Sequence, residues 1–294
     1  MSSLALNQLF AVLKVKANVF HNGQYCGMWA VDSSGSNLMN FHVVTRGQCQ
    51  AIVGDEVYQL GQGDAIFMPS DDQHRVTGLD QYGGDVGLVE SFPMNAAIEE
   101  ESTGLVCGNF THEHPIFERL LEQLPNVIVV RYRPGEIISD ILNLILKESE
   151  TAGMGPNFLL DRLADALFYA LVRDNVNTQC GVLAAMTHPK LAKSFELIHN
   201  NFDQQLSVEL LAESAAMSRS AFSSLFKELV EMSPSDYISQ WRMTQAYRWL
   251  ADESISTFEA ATRCGYESEA SFSKAFKRVI GVGPGEVRQI SKAK

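Results

Sequence analysis

From about Gln24 to Cys107 the chain alternates short apolar runs with turn residues: YCGMWAV, MNFHVVTRG, QAIVGDEVYQL, GDAIFMPS and GDVGLVE. Runs of this kind, bounded by glycine, proline and aspartate, predict strands. GDE between QAIV and VYQL reads as a hairpin turn, and Gly63-Asp64 opens a strand that ends at Pro69. Short antiparallel strands at this spacing predict a small barrel or jelly roll. After residue 110 the rhythm changes. HPIFERLLEQL, EIISDILNLILKESE and PNFLLDRLADALFYALVRD carry helical periodicity. Ile137, Ile138, Ile141, Leu144 and Ile145 form one stripe, and Leu159, Leu160, Leu163, Leu167 and Leu171 another. Such stripes serve either packing onto the barrel or a dimer interface. DNVNTQCGVLAAMTHPK, polar at first and ending in proline, reads as a linker.

Beyond it one frame is used twice. SRSAFSSLFK (218–227) and SEASFSKAFK (268–277) both fit Ser-x-x-x-Phe-Ser-x-x-Phe-Lys, and each reaches proline seven residues after the lysine, at Pro234 and Pro284. Phe222, Phe226 and Leu229, like Phe272, Phe276 and Val279, recur at helical spacing, so each segment predicts an amphipathic helix with that stripe inward. Serines repeated on the outward face allow close approach to a sugar-phosphate surface and donate hydrogen bonds to it. A short helix from about Val208, with Leu210, Leu211 and Ala215 inward, precedes the first copy. It breaks at Ala216 and Met217 before Ser218, a good N-cap. ISTFEAATRCGYESEAS repeats the plan, with Gly265 as the turn and Ser268 as the cap. Helix, brief turn and second helix make a helix-turn-helix, whose second helix enters the major groove. A helix of about Pro234 to Leu250 joins the two units. A helical-hairpin repeat for protein contacts is the alternative.

Residues 188–290 resemble the DNA-binding domain of AraC-type transcription regulators. The resemblance rests on GYESEASFSKAFKRVIGVGPGEVR and on MSRSAFSSLFKELVEMSPSDYISQWRMTQA. It implies DNA-facing positions at Ser220, Ser223 and Ser224 on the first recognition helix, with Arg219 beside them. On the second helix it implies Glu269, Ser273 and Lys274, with Lys227 and Lys277 toward the phosphates. Three serines leave few long bidentate readers on the first helix.

GQGDAIFMPSDDQHRV, with Gly63, Pro69 and His74, resembles the second motif of cupin domains, which accompany many AraC-type regulators. Trp29, His42, Phe67 and His74 are the candidate effector pocket, with simple filling of a core as the alternative. Metal-binding cupins place a His-x-His pair where NFHVVTRG has only His42. A divalent cation wants three or four ligands. His42 and His74, helped by Glu56 or Asp71, are therefore weak metal candidates, and two hydrogen-bonded histidines beside a pocket are preferred. No cofactor is required. Cys26 and Cys107 are redox candidates, set against the commoner fate of buried small hydrophobes. Five cysteines without a Cys-x-x-Cys pair indicate neither a disulfide scaffold nor a zinc cluster.

Charge qualifies the DNA reading, because the 294-residue chain carries −12. Thirteen basic and thirteen acidic residues lie from residue 188 onward, leaving ten and 22 before it. The DNA-binding part is neutral with a basic end, and the acidity belongs to the rest. No apolar run approaches a membrane span, and the start lacks a signal-peptide pattern, so a cytoplasmic location is expected. The expected fold class is α+β: a cupin-like sensor barrel (1–110), a helical extension (111–180), a linker (181–189) and an all-α domain with two helix-turn-helix motifs (190–294). The expected function is sequence-specific transcription regulation without catalysis, under an effector or redox signal. Activation is the outcome the resemblance implies. Expected partners are double-stranded DNA, a small-molecule effector, RNA polymerase and a second copy of the chain, with no membrane. A metal-dependent cupin enzyme tethered to a DNA-binding domain is the alternative.

Overall fold

A computed structural model describes residues 15–36, 38–79, 91–98, 101–111, 124–151, 157–175, 181–253 and 255–292. The expected strand GDVGLVE and helix HPIFERLLEQL lie outside these, apart from Leu124 at the end of the latter. The chain divides into two compact units, one of Val15–His112 with Leu124–Asn175, the other chiefly Val176–Lys294.

Among the described residues of the first unit, nine strands form two antiparallel sheets. One has the order β1 (Lys16–Cys26), β8 (Ser102–Thr111), β3 (Met39–Arg46), β6 (Ala65–Met68), β9 (Ile128–Val130). The other runs β2 (Ala30–Val31), β7 (His74–Thr77), β4 (Gln48–Val53), β5 (Glu56–Gly61). Gly54, at φ 57°, turns β4 into β5 as the GDE signal predicts. Side chains from both sheets meet in one core: Tyr25, Val44, Ile66, Leu105 and Cys107 from the larger, Cys49, Ala51, Val53, Leu60 and Val76 from the smaller. The opposite face of the larger sheet is also buried. Phe41, Phe67 and Phe110 cluster there, with Phe110 5.0 Å from Phe168 of a covering helix. β3 is therefore buried on both faces.

Among its described residues this unit also holds two helices, α1 (Ile137–Thr151) and α2 (Phe158–Asn175). Their buried faces are Ile138, Leu142 and Ile145, and Leu160, Leu167 and Leu171. The predicted stripes are partly wrong: Ile137, Leu144 and Leu159 point to solvent, because the buried stripe on α1 is narrower than the apolar one. β9 lies inside the stretch expected to be wholly helical. Its three residues pair with β6, a long-range partner that local periodicity does not reveal.

The second unit is helical: α3 (Gly181–Thr187), α4 (Ala192–Asn200), α5 (Val208–Ser214), α6 (Arg219–Val230), α7 (Pro234–Asp252), α8 (Thr257–Arg263), α9 (Glu269–Ile280) and α10 (Pro284–Lys292). The expected linker therefore contains a helix, α3, since GVLAAMT is rich in strong helix formers. Phe195, Phe222, Phe226 and Tyr237 build an aromatic core around the first helix-turn-helix. Met243, Ala246, Leu250, Ala260, Phe272 and Phe276 build a second. α7 contributes to both, so one 19-residue helix is shared by the two units.

Candidate functional site

The two helix-turn-helix units are built by the same local chemistry. Ser207 and Ser256 cap α5 and α8, accepting from Leu210 N at 3.1 Å and Glu259 N at 3.0 Å. Ser218 and Ser268 cap α6 and α9, accepting from Ala221 N at 3.3 Å and Ser271 N at 3.2 Å. Each cap satisfies a backbone donor that the helix start leaves open. The intervening turns also match. Ala216 (φ 53°) and Gly265 (φ 72°) take the left-handed conformation, and the next amides, Met217 and Tyr266, reach back to Ala212 O and Ala261 O.

Along the recognition helices α6 and α9 burial agrees position for position through residues 229 and 279. Phe222 with Phe226, and Phe272 with Phe276, are fully buried, while Leu229 and Val279 are only half-buried. Arg219, Ser220, Ser224 and Lys227 are exposed on α6, as are Glu269, Lys274 and Lys277 on α9; Ser223 and Ser273 are half-buried. Arg219 is engaged by Glu209 of α5 at 2.9 Å, a contact not read from the sequence. Leu210, expected inward, is exposed, and Leu211 and Ala212 fill the space instead. Behind the second turn, Arg242 donates to Phe202 O at 2.6 Å and Gln204 O at 2.7 Å. Its guanidinium stacks on Tyr266. Asp203 is thereby fixed against Gly265.

In the barrel, His42 and His74 meet as expected, with their Nε2 atoms 3.2 Å apart. Ser33, which the sequence did not single out, lies 2.9 Å from His74 Nε2 and 3.4 Å from His42 Nε2. His74 Nδ1 donates to Asp72 O at 2.8 Å, which orients the ring with Nε2 toward His42 and Ser33. Nδ1 of His42 is buried and meets no hydrogen-bond partner among the described residues. Burial, with the nearby His74 and His21 rings, pushes the pKa of His42 down to about 3. Trp29 stacks on Tyr25, and Tyr25 on His21, each at 4.9 Å. Phe67 does not belong with this group. It lies 6.1 Å from Phe41 on the helix-covered face, because period-2 alternation turns it away from Ile66 and Met68. A cleft of about 360 Å³ opens beside His74, lined by Asp32, Ile52, Gly54, Gln73 and Arg75.

The donor set for a metal is two imidazoles and a hydroxyl, short of the three or four ligands a resident divalent cation takes. Asp71 instead accepts from Asn40 Nδ2 at 2.7 Å, and Glu56 accepts from Tyr58. Among the described residues no group of three His, Cys, Asp or Glu side chains converges. Cys107 is fully buried, its thiol pKa raised by burial, and Cys26 is half-exposed. Strand register sets Cys26 opposite Ser102 and Cys107 opposite His21. Five residues of strand, roughly 17 Å, separate the two thiols. A disulfide between them needs the strand to rearrange.

Sequence comparison places these features in a family. Residues 5–177 match the model of a cupin domain, and residues 211–290 match that of a helix-turn-helix domain. The HTH-type transcriptional regulator AlkR of Acinetobacter baylyi is 27% identical over 98% of this chain and 99% of its own. The chain belongs to the AraC-type transcription regulators with a cupin domain. Another relative of this cupin-bearing regulator is the RCS-specific HTH-type transcriptional activator RclR of Escherichia coli, 24% identical over 97% of both chains. Among solved structures, the DNA-binding domain of AdpA in complex with a target DNA is 31% identical, covering 36% of this chain and 96% of that one, with a TM-score of 0.35. The regulator is a DNA-binding protein of α+β architecture, as its doubled frame and cupin motif predict. No helix among its described residues is long and apolar enough to cross a membrane.

Proposed function

We propose that the regulator seats α6 and α9 in two successive major grooves on one face of the duplex, about one turn (~10 bp) apart. The observation that carries this is the matched, exposed outer faces of two serine-capped recognition helices joined through a shared helix. Ser220, Ser223 and Ser224 approach the backbone and base edges under α6, with Arg219 beside them. Glu269, Ser273 and Lys274 do so under α9. Lys227 and Lys277 engage phosphates, making the complex salt-sensitive. Because the units follow one another in one chain, each subunit prefers an asymmetric site.

The barrel is the sensor, and the His42–His74–Ser33 cluster with Trp29 is its effector-facing interior. The effector must bind the two functional arrangements with different affinity to switch them. Cys26 and Cys107 are the alternative inputs, by oxidation. The barrel performs no catalysis: two hydrogen-bonded histidines with a serine supply a polar lining rather than a metal centre. The exposed apolar residues of α1 and α2 support a homodimer. Contact with RNA polymerase and activation in the cytoplasm complete the reading. A footprint of the full-length protein on DNA upstream of its own gene and its neighbours tests it, under reducing and then mildly oxidising conditions. Two protected patches one turn apart on one face are expected. No protection there or across a genomic library overturns it, and protection indifferent to oxidant, with the thiols shown to have reacted, removes the redox input.

A further inference from the structure

The internal repeat makes each helix-turn-helix a control for the other. Caps, turns and buried phenylalanines agree, so differences at matched outer positions report what each unit is for. Position N1, the first residue after the cap, is Arg219 on α6 and Glu269 on α9. Further along the helices, Ser224 is matched by Lys274 and Glu228 by Arg278. The N1 residues also differ in their surroundings. Arg219 is engaged by Glu209 at 2.9 Å, whereas Glu269 is exposed and its carboxylate makes no hydrogen bond or ion pair with another described residue.

A free carboxylate at the leading end of a recognition helix is costly for loose DNA binding, since it faces a surface of phosphates. Its chemistry explains what it returns. A carboxylate only accepts hydrogen bonds, and the amino groups displayed in the major groove belong to cytosine (N4) and adenine (N6). The helix dipole at N1 stabilises the charge in place. In any register that offers no amino group, the carboxylate is desolvated without a partner.

We propose that Glu269 is a specificity-determining residue, which demands cytosine at one position of the half-site under α9 and rejects other registers by repulsion. This rests on the seating of α9 in a major groove proposed above. Lys274, Lys277 and Arg278 hold α9 to the backbone so that the rejection acts on register rather than on binding as a whole. The first unit, its one arginine tied to Glu209 and its outer face serine-rich, contributes docking and shape.

Selection of duplexes from a randomised library by the full-length protein tests this. The wild-type motif is expected to fix cytosine at one position of one half-site, with discrimination of roughly 5- to 150-fold over other bases. Glu269→Ala should erase the preference at that position alone and strengthen binding to random DNA roughly 2- to 5-fold, the scale of one exposed charge. Glu269→Gln should move the preference to adenine, which suits an amide. Glu267→Ala removes the same charge one residue before the cap and should leave the motif unchanged, separating base reading from general electrostatics. An identical motif from wild type and Glu269→Ala, or any base other than cytosine at the affected position in the wild-type motif, overturns the proposal. If the wild-type protein enriches no motif, the groove seating itself fails, a distinguishable result.

Discussion

Ala216 and Gly265 occupy the same left-handed position in the two turns, and exchanging their residue types should move stability in opposite directions. A Cβ forced into this conformation costs roughly 1–2 kcal/mol. Going from Ala to Gly also frees the unfolded chain, which offsets about 0.4–1 kcal/mol of the relief. Ala216→Gly should therefore stabilise by about 0.5–1 kcal/mol. At Gly265 the signs reverse and a second cost appears: an added Cβ lies 2.0 Å from the carbonyl oxygen of Asp203. That carbonyl cannot retreat easily, because Arg242 holds the carbonyls on both sides of it, at Phe202 and Gln204. Overpacking of this kind costs about 1–3 kcal/mol, so Gly265→Ala should lose about 2–4 kcal/mol in total. Hydrogen exchange in the full-length protein reads each change locally, on α5 and α6 amides for Ala216→Gly and on α8 and α9 amides for Gly265→Ala. A loss below about 0.5 kcal/mol for Gly265→Ala, or destabilisation by Ala216→Gly, would refute the reasoning, since the fixed Asp203 carbonyl and the strained turn are its two premises.

Three further outcomes are expected. His42 is neutral in the folded barrel down to about pH 3 but takes a proton near 6.5 when unfolded. Its contribution is thus intact above pH 6.5 and falls, by up to about 1.4 kcal/mol per unit, as pH drops toward the folded value. His42→Leu should flatten the stability profile between pH 7 and 5 in urea titrations, and an unchanged slope would contradict the burial argument. Ser218→Ala and Ser268→Ala should each cost about 1 kcal/mol by thermal or chemical melting, as loss of an N-cap does. Losses much below this would mean that water replaces the caps. Cys107 and Cys49, both buried with raised thiol pKa, Cys49 to about 12, should resist alkylation at neutral pH until the barrel opens, while Cys26 reacts first. Equal labelling of the native protein would show that the barrel opens readily.

The helix-turn-helix pair was legible because its signals are local: a serine cap, phenylalanines at i and i+4, and a glycine at the left-handed position all act within one turn of chain. The barrel was legible as a rhythm of strands but less so as a site. Phe67 and Ile66 are both buried, so alternation could not say which of them faces the interior; register with the neighbouring strands decides it. His21 and Ser33 were missed for a related reason. His21 reaches the cluster because β1 begins at Lys16 and pairs with β8 through a bulge, and Ser33 does so from a turn. β9 and α3 fell in stretches read respectively as helix and linker, one decided by a distant strand, the other by helix propensity outweighing a polar start. Glu209 gave no signal, since an acid in a first helical turn is already explained by the helix dipole.

The shared helix α7 acts as a ruler. Its 19 residues span roughly 28 Å, and its two ends are gripped by different cores, Tyr237 and Trp241 with the first unit and Ala246 and Leu250 with the second. A base pair inserted between the two half-sites rotates one groove by roughly 35° and shifts it along the axis. A packed helix does not twist to follow. With α6 and α9 seated as proposed, mutations that change operator length by a single base pair are expected to be more damaging than substitutions between the half-sites, so that binding sites are constrained in phase before they are constrained in letters.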